Sequence, residues 1–252
     1  MTTSAVEIAP GYVVEELLSR GQALDVYSVF SRERLCSATA KTIRPDRADV
    51  QRVRDRLLLE GRLLTTLAHP HLIRGFEVIS DPVPVVIVET LMGYNLEESI
   101  DWRERRLPST DLAHLGRQLA SALQYLHAHG YLHLDVRPAN VMAHGGKATL
   151  IDLSIAREPG EVRSGFGTPG YMAPEQSRGG VVSAAADSWG LGATLYAAAT
   201  GVPPLPDLRP VRSRRPRLHP ALAEVVDACL SPAPGNRPGI VDVHERLGSV
   251  LG

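Results

Sequence analysis

The chain is 252 residues long and 44% apolar, with 27 Lys and Arg against 28 Asp and Glu for a net charge of -1 at pH 7. That length can bury a substantial core, and the balanced charge lacks the basic excess of a nucleic-acid binder. Two cysteines, Cys36 and Cys229, form neither a disulfide framework nor a metal-ligand spacing, which predicts buried free thiols in a reducing compartment.

Met1 to Pro10 has neither a basic cluster nor an apolar stretch, so no secretory signal is read there and a cytoplasmic location is expected. Strand-like runs follow, with Cys36 and then Ala38-Thr-Ala-Lys41 among them. Arg56 to Ala68 spaces Leu57, Leu63, Leu64 and Leu67 for one helical face and carries Glu60, before His69-Pro70 breaks the helix. Leu72 to Ile79 and Val83 to Glu89 are two further apolar runs. From Leu96 the pattern turns helical, most clearly over Ser109 to Gly130, where Leu112, Leu115, Leu119, Leu123 and Leu126 share a face. Ser109 or Thr110 is suited to cap its start and Gly130 its end. An α+β chain is expected, sheet-rich over 1–89, with a connection at 90–95 and mainly helical over 96–252.

His133-Leu-Asp-Val-Arg-Pro-Ala-Asn140, followed by Asp152, contains the parts that phosphoryl transfer needs. Asp135 is a carboxylate able to orient a hydroxyl, Arg137 a cation for phosphate, and Asn140 and Asp152 an amide and a carboxylate for Mg²⁺. Val141 to Ala143 and Ala148 to Ile151 read as short strands around His144-Gly145-Gly146, a hairpin signal that would bring Asn140 and Asp152 side by side. Val181 to Val202 is apolar nearly all round. Asp187 within it argues for the central helix of a large lobe rather than a membrane span. Pro203 to Pro220 packs six prolines and five arginines and reads as an extended, solvated connection. The alternative is that Arg209, Arg212, Arg214, Arg215 and Arg217 recruit an acidic substrate or partner. His69, His71, His127, His129 and His133 lack ligand spacing and are expected in cap or core roles.

The Asp135, Asn140 and Asp152 constellation resembles the catalytic and metal loops of the protein kinase family, in its bacterial-type Ser/Thr branch. Gly167-Thr-Pro-Gly-Tyr-Met-Ala-Pro-Glu175 is similar to the end of that family's activation segment, Ala38 to Lys41 to its ATP-lysine strand, and Asn236-Arg-Pro238 to the arginine that pairs with Glu175. Of the 27 basic residues only Lys41 and Lys147 are lysine; a lysine kept at the phosphate position fits a need for a compact ammonium there. The resemblance implies a two-lobed fold with a small β-sheet N-lobe, a hinge at 90–95 and a larger helical C-lobe. It implies ATP and Mg²⁺ as cofactors, with Asn140 and Asp152 as metal ligands. Lys41 steadied by Glu60 would orient phosphates, Asp135 would align the acceptor hydroxyl beside Thr168, and Arg137 would offset developing charge. Leu18, Gly21, Val26, Thr39, Val88, Glu89, Leu91 and Met142 would hold the nucleotide. His133 would be a structural histidine under the metal loop, and Asp187 would brace the catalytic loop. The implied activity is transfer of the ATP γ-phosphate to a protein hydroxyl, with a regulatory protein partner possible and neither nucleic acid nor membrane expected.

Departures from the family pattern are visible as well. Ser19-Arg-Gly21-Gln-Ala-Leu24 keeps one glycine of the phosphate loop, Leu134 replaces the arginine before Asp135, and Asp152-Leu-Ser154 replaces Asp-Phe-Gly. They predict a metal loop biased to one conformation and no switching through Leu134. A pseudokinase scaffold and a small-molecule phosphotransferase are the alternatives.

Overall fold

The computed structural model describes residues 6–102 and 106–252. They form two compact units, one of residues 6–69, 73–91 and 152–154, the other of residues 70–72, 92–102, 106–151 and 155–252. The first is built on a six-stranded sheet of β1 (Glu7–Ala9), β2 (Tyr12–Arg20), β3 (Leu24–Ser31), β4 (Cys36–Ile43), β5 (Gly75–Ile79) and β6 (Val85–Glu89), ordered β1-β2-β3-β4-β6-β5. Every pairing is antiparallel, and β4 sets Lys41 opposite Val86 and Thr39 opposite Val88.

Helix α1 (Gln51–Thr66) packs on this sheet through Leu57, Leu63 and Leu64. Each such side chain removed from water contributes about 1.5–3 kcal/mol. The helix comes close because Gly61 has no side chain: a Cβ there would lie 2.5 Å from Val78 Cγ2 and 2.7 Å from Val86 Cγ2. That approach carries the neighbouring Glu60 into the interior. The helix begins at Gln51, a turn and more before Arg56, because the polar first turns carry no apolar periodicity to announce them.

The second unit contains β7 (Tyr94–Asn95), α2 (Leu96–Trp102), α3 (Ser109–Ala128), β8 (Val141–His144), β9 (Lys147–Leu150), β10 (Gly160–Val162), α4 (Pro174–Arg178), β11 (Gly180–Val182), α5 (Ala184–Thr200), α6 (Val211–Arg214), α7 (Pro220–Cys229) and α8 (Ile240–Gly248). The five leucines expected on one face of α3 are all buried. Helix α5 is buried from Ala186 to Thr200, is capped at its start by Ser183, whose hydroxyl accepts from Ala185 N, and at its end by Gly201 with φ +82°. It is a core helix, as its sequence predicts, and among the described residues no helix is long and apolar enough to cross a membrane. The β8–β9 hairpin turns on Gly145 and Gly146, at φ +58° and +80°. Two positive φ values in a two-residue loop are what that turn type demands.

Three expectations need correction. Cys36 is exposed, since it opens β4 beside the β3–β4 turn; only Cys229 is buried. Neither Ser109 nor Thr110 caps α3: Pro108 holds the cap position without a side-chain bond, and the Ser109 hydroxyl accepts from His219 N instead. The Pro203 to Pro220 segment is more than a solvated connection, for it contains α6 and anchors itself through the buried Val211 and Leu218. Arg215 runs inward, donating to Ala199 O at 3.3 Å and Leu107 O at 2.7 Å.

Candidate active site

In the sheet unit, Lys41 Nζ lies 2.6 Å from Glu60 Oε1 and 3.3 Å from Asp152 Oδ1. Burial alone pushes the Lys41 ammonium down, but Asp152 and then Glu60 outweigh it and the net shift is upward, so the group stays charged. Burial pushes the Glu60 carboxyl up while Lys41 pulls it the other way. Glu60 Oε1 also accepts from Leu153 N at 3.2 Å, and its Oε2 is buried without a partner. Leu153 is buried, Ser154 N donates to Asp152 Oδ1 at 3.1 Å, and Asp152 sits at φ +67°. The metal-loop candidate is therefore pinned through main chain and side chain to the Lys41–Glu60 pair.

The nucleotide-binding candidates of this unit lie along β2, β3, β4 and β6. Leu18 is exposed on β2, Val26 stands on β3 opposite Lys41, and Val88 is buried on β6. Thr39 Oγ1 is 3.5 Å from Thr90 Oγ1. Gly21 opens the β2–β3 turn, and its N–H donates to Leu24 O at 2.8 Å while Arg44 Nη1 donates to its carbonyl at 3.0 Å. Glu89 has its N–H committed to Arg74 O at 3.0 Å. Leu91 follows at the end of the unit.

In the helical unit, Asp135 has each carboxylate oxygen held. Thr168 Oγ1 donates to Oδ1 at 2.6 Å and Asn140 Nδ2 to Oδ2 at 2.9 Å, with a second bond from Nδ2 to the Asp135 carbonyl at 2.9 Å. Arg137 Nε stands 3.7 Å from Oδ2, and Arg137 Nη1 3.8 Å from Glu97. Asn140 enters β8, its carbonyl accepts from Ile151 N at 2.9 Å, and Met142 is the next residue but one on that strand. Asn140 spends its amide hydrogens on Asp135, so its oxygen faces the other way. That oxygen and, in the sheet unit, the Asp152 carboxylate are each a hard donor of the kind Mg²⁺ takes.

Residues far away in sequence fix the backbone of this loop. Asp187 Oδ2 accepts from His133 N at 2.8 Å and Oδ1 from Leu134 N at 2.7 Å, and His127 Nε2 lies 2.8 Å from Oδ2. Burial pushes the Asp187 carboxyl up, but the His127 hydrogen bond, the His127 and His133 charges and the Leu134 amide overcome it, and the net shift is downward. His133 Nε2 lies 3.3 Å from Ile151 O. Leu134 is buried at φ +65°, a conformation its side chain disfavours, and its carbonyl accepts from Gln176 Nε2 at 2.8 Å. Gln176 also donates to Phe166 O at 2.8 Å and accepts from Ala173 N at 3.0 Å, so one buried amide joins the Asp135 loop to both ends of the 166–173 loop. The β10–β11 pair closes that loop at its base. Glu175 and Arg237 meet as expected, in a two-pronged pair at 2.6 and 2.9 Å with the guanidinium over Trp189. Sequence reading found neither Gln176 nor the His127 contact. A glutamine directly after Pro-Glu and a histidine six residues before His133 carry no signal of their own until the fold brings their partners to them.

The sequence model of the protein kinase domain matches residues 12–246. The serine/threonine-protein kinase PkaA of Streptomyces coelicolor is 31% identical over 94% of this chain and 49% of its own length; PknB of Mycolicibacterium smegmatis is 26% identical over 93% and 42%. The chain thus spans about half or less of these relatives. The crystal structure of the Mycobacterium tuberculosis PknI kinase domain superposes with a TM-score of 0.80, at 27% identity and covering 99% of both chains.

Proposed function

This chain belongs to the protein kinase family, and on that premise we propose that it transfers the γ-phosphate of ATP to a serine or threonine hydroxyl of a protein. The observation that carries the proposal is Asp135. Its carboxylate is oriented by Thr168 and Asn140, one on each oxygen, with the Arg137 guanidinium beside it.

Bound Mg²⁺ and ATP supply the phosphoryl group and neutralise charge as it moves between oxygens. Asn140 and Asp152 are the metal ligands in this reading. Lys41, kept charged and steadied by Glu60, orients phosphate oxygens, and Leu18, Gly21, Val26, Thr39, Val88, Glu89, Leu91 and Met142 hold the rest of the nucleotide. The Glu89 amide is already committed to Arg74 O, so in this reading Leu91 supplies the main-chain donor to a purine edge. Asp135 accepts a hydrogen bond from the acceptor hydroxyl in place of Thr168, aligning its oxygen for attack. Arg137 offsets the charge that develops on the transferring group. Residues 90–95 serve as the hinge.

Activity without phosphorylation of the 166–173 loop belongs to the same proposal. Where many relatives carry an arginine that answers to a phosphate, this chain has the buried Leu134, and Asp187 and Gln176 hold the loop backbone from both sides. The loop of Asp152, Leu153 and Ser154 stays in one conformation because Glu60 grips Leu153 N.

A second reading, a nucleotide-binding scaffold without transfer, is favoured by one observation. The single glycine amide of the phosphate loop is spent on Leu24 O rather than offered to a ligand. Transfer of labelled γ-phosphate from Mg-ATP to the chain itself and to a generic basic protein separates the two. Incorporation that falls by about 10²–10⁴ in Asp135→Asn supports the kinase. Mg-ATP binding without incorporation supports the scaffold.

A further inference from the structure

The helical unit contains a cavity of about 780 Å³ that shares no residue with the candidate active site. This lies within the range of pockets that bind ligands, about 300–1,000 Å³. Its apolar lining is Leu96, Ile100, Leu107, Leu115, Ala198 and Val202. One wall, the β8–β9 turn, is held firmly, since Gln118 donates to Gly146 O at 2.9 Å and accepts from Ala148 N at 2.6 Å.

The charged and titratable side chains of the lining are Arg106, Lys147, Asp111, His114 and His144. The Arg106 guanidinium reaches Arg214 O at 3.4 Å, and Arg215 reaches Leu107 O and Ala199 O, so the arginine-rich segment abuts one end of the cavity. Two guanidinium groups share that corner: burial, and behind it the Arg106 charge, push the Arg215 group down. Asp207 serves Arg209 and Arg214. Among the described residues, Arg106 and Lys147 of the lining and Arg215 beside it have no carboxylate partner within ion-pair distance. In a chain of net charge -1, the described residues thus place three such cations at or beside this hollow against one lining carboxylate, Asp111.

We propose that this cavity is a docking site for an acidic, extended segment of a partner protein, with apolar side chains in the hollow and carboxylates at the Arg106 and Arg215 corner. An extended segment turns alternate side chains to one face, so one run of residues can present both. The charge complementarity selects the partner and steers its approach. The site goes beyond the transfer reaction and does not depend on it.

Fluorescence anisotropy on the whole chain, without nucleotide, tests the proposal. The probe is a labelled peptide with glutamates flanking a Leu-x-Phe core, and the control has lysines in their place. The acidic probe should bind and the basic one should not. Added salt should weaken binding, and Arg106→Glu and Ser99→Trp, which fills the hollow from the lining residue Ser99, should each weaken it about tenfold, with Arg106→Lys near wild type. Equal affinity for the two probes, or affinity unmoved by Arg106→Glu and Ser99→Trp, overturns the site. So does an absence of acidic-probe binding at about 1 mM, the weak end of measurable affinity. Because the readout is binding, a chain that transfers no phosphate could still pass, and an active kinase could still fail.

Discussion

Lys41→Met removes the cation that Glu60 and Asp152 both face. At 2.6 Å and an effective dielectric of about 20, the gross attraction between Lys41 and Glu60 is about 6 kcal/mol. Much of that is offset by the cost of taking both groups out of water, and breaking one side of such a buried pair typically costs about 3–5 kcal/mol. Glu60 is 0% exposed and its Oε2 has no partner, so the stranded charge has no water to relax into and faces Asp152 as well. The least costly relief is a proton. Burial already pushes the Glu60 carboxyl up, and losing the opposing lysine sends it further. A group whose folded pKa is raised contributes stability that is fully present below its unfolded value, about 4.3, and is lost as pH rises through the folded pKa. Urea unfolding of wild type and variant between pH 5 and pH 8 should therefore show a stability gap that widens with pH, by up to about 1.4 kcal/mol per unit, towards about 3–5 kcal/mol. Adding Glu60→Gln should recover most of the loss, since it removes the stranded charge. A gap that is flat, or widest at the acid end, would refute the buried ion-pair reasoning.

Gln176→Ala, which cuts the link between Leu134 O, Phe166 O and Ala173 N, should lower kcat by about tenfold with nucleotide affinity intact, as expected for loss of about 1–2 kcal/mol of positioning; steady-state kinetics with ATP varied separates the two. Glu175→Gln strands the fully buried Arg237 guanidinium and should cost about 3–5 kcal/mol by chemical unfolding, while the double variant with Arg237→Met should cost less than that single change. Gly61→Val, placed against Val78 and Val86, should destabilise by about 1–3 kcal/mol and, by tilting α1, weaken Mg-ATP binding measured by calorimetry.

Much of the sheet unit and the reacting groups could be read from sequence because they depend on local order. The leucine spacing of α1 and α3, the Gly-Gly hairpin and the interval from Asp135 to Asn140 are short-range patterns, and a helix or turn converts each directly into a shared face or a fixed distance. The distinctive lysine at position 41 and the lone aspartate in an apolar helix were visible for the same reason: each departs from its own surroundings. Exposure and partner choice followed a different logic. Cys36 lies exposed because it opens a strand beside a turn, and Ser109 serves His219 rather than its own helix, 110 residues away. Gln176, His127 and Arg215 gain their roles from carbonyls and carboxylates 10 to 108 residues distant. A polar side chain can be buried only where hydrogen bonds compensate it, and those partners are brought together by the packing of whole elements. The sequence by itself therefore determined which groups can do the chemistry and on which elements they ride, whereas the tertiary structure decided what holds them still and where the uncompensated charge and the empty volume lie.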